Sequence, residues 1–201
     1  KLIKNNLSEK FIINKYFKKL NFKKNGTFDF ENDGAYLYFN NKNYKISITT
    51  DTILEDVDFF SNDDAKSIAQ KITTVNLSDI FAMGAIPHSY VINLLLPYNI
   101  NDKWLGKFSH QLKKIQLKYG FYLLGGDLSR SNKLIISSTF FGYINKNIEI
   151  FQNKINLNDD ILLTGNIGES RIGLDILYKK ILINEKLKKY FINKYLFPSP
   201  C

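Results

Sequence analysis

The chain has 201 residues, with 28 Lys and Arg against 19 Asp and Glu, a formal net charge of +9 and 44% hydrophobic residues. That length fits one large domain, or one domain and the start of another, and no apolar run approaches the roughly 18–20 residues that span a bilayer. One cysteine, Cys201, and two histidines, His88 and His110, exclude an internal disulfide framework and a Cys/His zinc site.

KLIKNN at the start leads into no apolar core with a cleavage site, so no secretory signal is expected. A cytoplasmic, reducing compartment with no membrane partner follows. The positive charge invites nucleic acid or phosphorylated ligands. The lysines, however, are spread with Asn and Ile along the whole chain and no RNP motif or zinc finger occurs, so no nucleic-acid partner is expected.

In chain order, SEKFIINKYFKKL (8–20) has apolar residues at helical spacing behind a Ser8 cap and predicts a peripheral helix. AYLYF, the turn-forming NNKN and YKISITT predict two strands, with Ile46 and Ile48 alternating against polar neighbours and the second strand running into Asp51. A helix is predicted from about Asp63 to Met83, stopped by Gly84 and Pro87. SYVINLLLP reads as a strand, NDKWLGKFSHQLKKIQLKYG as a capped helix with Trp104, Phe108, Leu112 and Ile115 in the core, and FYLLGG and KLIISSTFFGYI as strands. DDILLTGNIGESRIGLDIL has the form strand, glycine turn, helix; NEKLKKYFINKYL is a last helix, and FPSPC reads as a linker. Hairpins mixed with two long helices predict an α+β fold, a small mixed or antiparallel sheet packed by two long helices, rather than a regular βαβ alternation.

The helix at 63–83 contains a conflict. At 100° per residue Ile68, Ile72 and Val75 share a stripe, and Asp79 falls within it. An unpaired buried carboxylate costs several kcal/mol, so Asp79 requires a cation, hydrogen-bond donors or a wet cleft. Loop amides would satisfy it as readily as a metal. Asp33, Asp51 and Asp127 sit at comparable junctions; each alone reads as a turn or cap residue. With the Thr49 and Thr50 hydroxyls they offer oxygen ligands only, the set a hard ion such as Mg²⁺ prefers. Gly125-Gly126-Asp127 would let backbone approach a phosphate, and Thr164-Gly165-Asn166-Ile167-Gly168 opens a helix toward an anion, although no Gly-Lys-Ser/Thr follows and a plain turn is the commoner reading.

TTDTILEDVDFF, NLSDIFAMGAIPHSYVINLLLP, LLGGDLSR and DDILLTGNIGESRIGL, in this order and at these separations, resemble thiamine-monophosphate kinase, of the superfamily that includes aminoimidazole ribonucleotide synthetase. The resemblance implies that residues 1–150 form a nucleotide- and metal-binding dimerisation domain whose sheet pairs across a homodimer into a barrel. It implies that 151–201 begin a second domain, which continues past Cys201 in the family. The implied activity is transfer of the ATP γ-phosphoryl group to thiamine monophosphate, giving the diphosphate, with several Mg²⁺ ions; the 201 residues alone would be inactive or nearly so.

Position by position, the resemblance implies metal ligation by Asp33, Thr49, Thr50, Asp51, Asp79 and Asp127, with Asp79 and Asp127 catalytic. It implies nucleotide contacts from Gly126, Asp127, His110 and Gln152. The family's substrate-facing histidine corresponds to Asp58 and its ATP-facing arginine to Gln152; Asn32 and Leu128 replace an expected Asp and Thr. These departures leave a second reading, a dimerisation module of this family that has lost its chemistry.

Overall fold

The computed structural model describes residues 10, 14, 18, 26–38, 40, 43–152 and 154–200. The helix expected over 8–20 falls largely outside them.

A short 3₁₀ turn (Phe28–Phe30) leads into strands β1 (Ala35–Leu37) and β2 (Tyr44–Leu54). Helix α1 (Ala65–Ala82) follows, then β3 (Ile86–Leu96), α2 (Asp102–Tyr119), β4 (Tyr122–Arg130), β5 (Ile135–Asn145), α3 (Glu169–Leu177) and α4 (Glu185–Leu196). The strands form one five-stranded sheet in the order β1-β2-β5-β3-β4, antiparallel except for β3 and β4, which run parallel. The α+β expectation holds, with one addition: β3-α2-β4 is a crossover unit, because parallel neighbours cannot be joined by a tight turn.

The helix boundaries follow from their caps. Asp64 accepts from the Lys66 amide, Asn101 from Trp104 and Asn184 from Leu187, each satisfying an orphan amide of a first turn. Gly120 ends α2 in the left-handed conformation, at φ 73°, where a side chain is disfavoured.

The core lies between the sheet and α1. Ile72, Leu77 and Ile80 of α1 meet Ile136 and Phe140 of β5, and Tyr90 stacks on Phe140 at 4.8 Å. Phe108, Leu112 and Ile115 of α2 are buried as expected, with Trp104 partly so. α1 is buried on more than one stripe, since Ser67, Thr73, Thr74 and Asn76 are also covered.

β2 alternates as the sequence indicates, with its polar side inward. Lys45, Ser47 and Thr49 are buried beneath the helices, while Ile46 and Ile48 lie on the opposite, partly open face. With Tyr44, Phe141, Tyr143, Leu124 and His88, Ile46 lines a shallow apolar cavity of ≈ 420 Å³ on that face.

Two expectations need correction. Ile161 and Leu162 form no strand: they are almost fully exposed, and among the described residues no strand offers them a ladder. The final FPSPC segment is docked, since the Pro198 carbonyl accepts from Gln70 at 2.7 Å and from Thr74 at 3.3 Å.

Candidate functional site: an acidic cluster between β2 and α1

β2 directs Thr49 and Asp51 toward α1, and α1 directs Asp79 back. The Thr49 hydroxyl donates to Asp79 Oδ2 at 2.8 Å and lies 3.3 Å from the Asp33 carbonyl oxygen. Asp33 sits in the loop before β1, held close to β2 at Gly34, where a Cβ would lie 2.8 Å from the Ile48 carbonyl oxygen. The Asp51 and Asp79 carboxyls are near enough to hydrogen-bond when one is protonated.

Burial pushes the Asp79 carboxyl up to about 6; the Thr49 hydroxyl opposes this, and the Asp51 and Asp33 charges add to it. Asp51 is also raised, chiefly by burial, with Asp58 contributing. Among the described residues no ion pair involves Asp33, Asp51 or Asp79. These acids therefore crowd one another with no cation among the described residues to offset them. The oxygen-only donor set and the raised Asp79 fit a hard divalent ion, although among the described residues no three acidic, imidazole or thiol side chains already close round one point.

The remaining candidates are placed differently. Thr50, on the other sheet face, bonds the Ser138 carbonyl oxygen at 3.1 Å and the Thr139 hydroxyl at 3.0 Å. Asp127 shares that face: it pairs in register with Asn93, which pairs with Ser137, which pairs with Thr52. It lies three strands from Thr50 and accepts from Ser129 at 3.0 Å. Gly126, one residue before, lies so close to β3 that a Cβ there would come 1.7 Å from the Ile92 carbonyl oxygen. His110 is exposed on α2, away from the buried Phe108 and Leu112.

Asp58 is close enough to raise Asp51, and its own Oδ2 accepts from the Leu54 amide at 2.8 Å. Its carbonyl accepts from Lys71 at 2.7 Å. Gln152 lies next to the cluster's edge, because its amide donates to Asn32 Oδ1 at 3.3 Å while Asn32 Nδ2 donates to the Ile150 carbonyl at 3.1 Å. Sequence reasoning missed Lys71, Lys45 and Glu149. Lys45 sits in the alternation of β2 as an ordinary polar position, and no local signal marks it as inward.

Residues 31–144 match the family model described as AIR synthase related protein, N-terminal domain. Thiamine-monophosphate kinase of Buchnera aphidicola subsp. Acyrthosiphon pisum is 37% identical over 190 residues, covering 94% of this chain and 58% of its own length. The Haemophilus influenzae protein of the same name is 34% identical over 160 residues, covering 79% of this chain and 48% of its own length. Among solved structures, AaThiL complexed with AMPPCP and TMP superposes with a TM-score of 0.84 at 27% identity, over 96% of this chain and 60% of that one. Thiamine-monophosphate kinase from Stenotrophomonas maltophilia gives 0.73 at 26% identity, over 84% and 54%. The chain thus spans about half to three-fifths of the length of these relatives. Sequence match and superposition agree that the chain belongs to the AIR synthase related protein family.

Proposed function

We propose that this chain is the nucleotide- and metal-binding part of an ATP-dependent thiamine-monophosphate kinase. The observation that carries the reading is the group of Asp33, Thr49, Asp51 and Asp79: oxygen ligands only, with Asp51 and Asp79 half-buried, the acids mutually repelling, and no cation paired with them among the described residues. Its support is the similarity to relatives of that name and to a structure holding an ATP analogue and TMP.

In the proposed reaction a phosphate oxygen of thiamine monophosphate attacks the γ-phosphorus of ATP. The bond from that phosphorus to the bridging oxygen breaks, and ADP leaves with the electron pair. Mg²⁺ held by Asp33, Thr49, Asp51 and Asp79 would offset the charge that develops on the transferring oxygens, with Thr50 and Asp127, three strands apart on the other face, as separate candidate ligands. The chain's own part is placement. Thr49 holds the Asp79 carboxylate in one orientation, Gly126 keeps β4 close to β3 beside Asp127, and the Asn32 bonds hold Gln152 beside Asp33. Such positioning is a large part of phosphoryl-transfer catalysis, since little covalent chemistry is asked of the protein. The proposal extends to a homodimer joined through the open apolar sheet face and to a cytoplasmic location.

Calorimetry of the full-length protein with a non-hydrolysable ATP analogue tests the site. Binding is expected only with Mg²⁺ present, and Asp79→Asn or Asp51→Asn should weaken it at least about tenfold, the scale of one lost charged ligand contact. Metal-independent binding that both variants leave unchanged would overturn the assignment.

A further inference from the structure

Lys45 has no exposed side-chain surface, which is rare for a lysine and costly unless its charge is matched. Its ammonium lies 3.9 Å from the centroid of the Tyr36 ring, 5.3 Å from that of Tyr38 and 3.4 Å from Glu149 Oε1. The Tyr38 hydroxyl donates to the same Glu149 oxygen. Glu149 is therefore gripped by a buried cation and a phenol, which hold its carboxyl below the usual range. Burial alone would drive Lys45 toward its neutral form, and Glu149 opposes this.

The grip lies where the chain leaves β5 and turns back toward the acidic cluster. One residue after Glu149, the Ile150 carbonyl accepts from Asn32, and the Gln152 amide returns a bond to the same side chain. The Phe151 ring packs edge-on against Phe28 at 5.2 Å. Asn32 immediately precedes Asp33, whose carbonyl oxygen lies 3.3 Å from the Thr49 hydroxyl that donates to Asp79. A continuous set of contacts thus runs from Lys45 through Glu149, residues 150–152 and Asn32 to Asp33. The loop is also held from outside the site, by Lys18 against Asp29 and Glu31 at 3.8 and 3.4 Å and by the Phe28 ring edge-on to Tyr36 at 5.3 Å, but the Asn32 bonds and the Phe28–Phe151 contact are what join it to residues 150–152.

We propose that Lys45 and Glu149 form a positioning clamp that fixes the Asp33 loop and Gln152 beside Thr49 and Asp79, and so sets the affinity of the site for metal and nucleotide. This rests on the function proposed above. A purely structural lysine would need only some counter-charge; here the counter-charge sits three residues from Gln152, and the bonds to Asn32 connect the two strips of chain on the site's edge.

The test uses the full-length protein with Lys45→Met, Glu149→Gln, Asn32→Ala and the double variants pairing Asn32→Ala with each. Hydrogen exchange should speed at least tenfold at the Gln152 amide and at residues 31–34 in Lys45→Met and Glu149→Gln, with β3 and β5 unchanged. Mg²⁺-dependent binding of a non-hydrolysable ATP analogue should weaken about tenfold in each single variant. Each double variant should bind no more weakly than its weaker single, because the substitutions break one chain of contacts. Unchanged exchange at those residues, or losses that simply multiply in the doubles, would overturn the clamp. If wild type binds no nucleotide, the proposed function fails while the exchange result still decides whether the clamp exists.

Discussion

Asp79 is the residue on which the account turns, and its ionisation carries a signed consequence. Its carboxyl titrates at about 6 in the folded chain against an ordinary 3.8, so the folded state holds the proton more tightly than the unfolded one. The associated stability is fully present below the ordinary value and is lost as pH rises through 6. Asparagine copies the protonated form: it can accept from Thr49 and donate to Asp51. Asp79→Asn should therefore stabilise the metal-free protein at pH 7.5 by about 1–2 kcal/mol, after allowing for partial solvent screening. Urea unfolding at pH 7.5 and pH 4 checks this; the gain should vanish at the lower pH. For the same reason Mg²⁺ affinity should fall as pH drops through 6, because the ion competes with that proton.

How much of the site was legible at this scale depends on distance along the chain. The conflict at Asp79 showed in helical spacing alone. Asp33 and Asp51 are turn and strand-end residues whose oxygen chemistry suits a hard ion, but spacing alone does not bring them together; the structure brings both to Asp79. Lys45 and Glu149 were invisible because they lie 104 positions apart and meet only when β5 returns beside β2.

Among the elements, the helices were the most readable, since caps are local chemistry. Asn101→Ala should cost about 1 kcal/mol of stability, measurable by denaturant unfolding, because the Trp104 amide loses its acceptor. Strands were readable in position and less so in orientation. Periodicity marks β2 as alternating, but which side turns inward is decided by α1, which brings Asp79 to meet Thr49 on the polar side. The segment at 160–163 has strand composition and no strand, because a ladder is a property of two segments.

The approach of β4 to β3 at Gly126 yields a sharper expectation. Gly126→Ala should force the strands apart, since the added carbon has only the Ile92 backbone to meet. Amide exchange should rise along Tyr122–Arg130 while α1 stays protected; a β4 as protected as in wild type would show that the ladder can yield.

For the whole molecule, β2, β3 and β5 are covered on one face and more open on the other, while β4 is exposed along its length. The open face presents Tyr44, Ile46, Leu124, Phe141 and Tyr143 round one cavity, an apolar concentration of the kind that marks an interface. Under the proposed homodimer this surface is buried by its copy. Phe141→Asp should then yield a folded monomer by sedimentation, where wild type sediments as a dimer at micromolar concentration; a wild-type monomer would remove the homodimer from the account.

Phosphoryl transfer to thiamine monophosphate is the activity proposed for the acidic cluster. Full-length protein incubated with ATP, Mg²⁺ and thiamine monophosphate should form thiamine diphosphate and ADP in equal amounts, and Asp79→Asn should abolish both. No thiamine diphosphate from folded, nucleotide-binding wild-type protein at high enzyme concentration would contradict it.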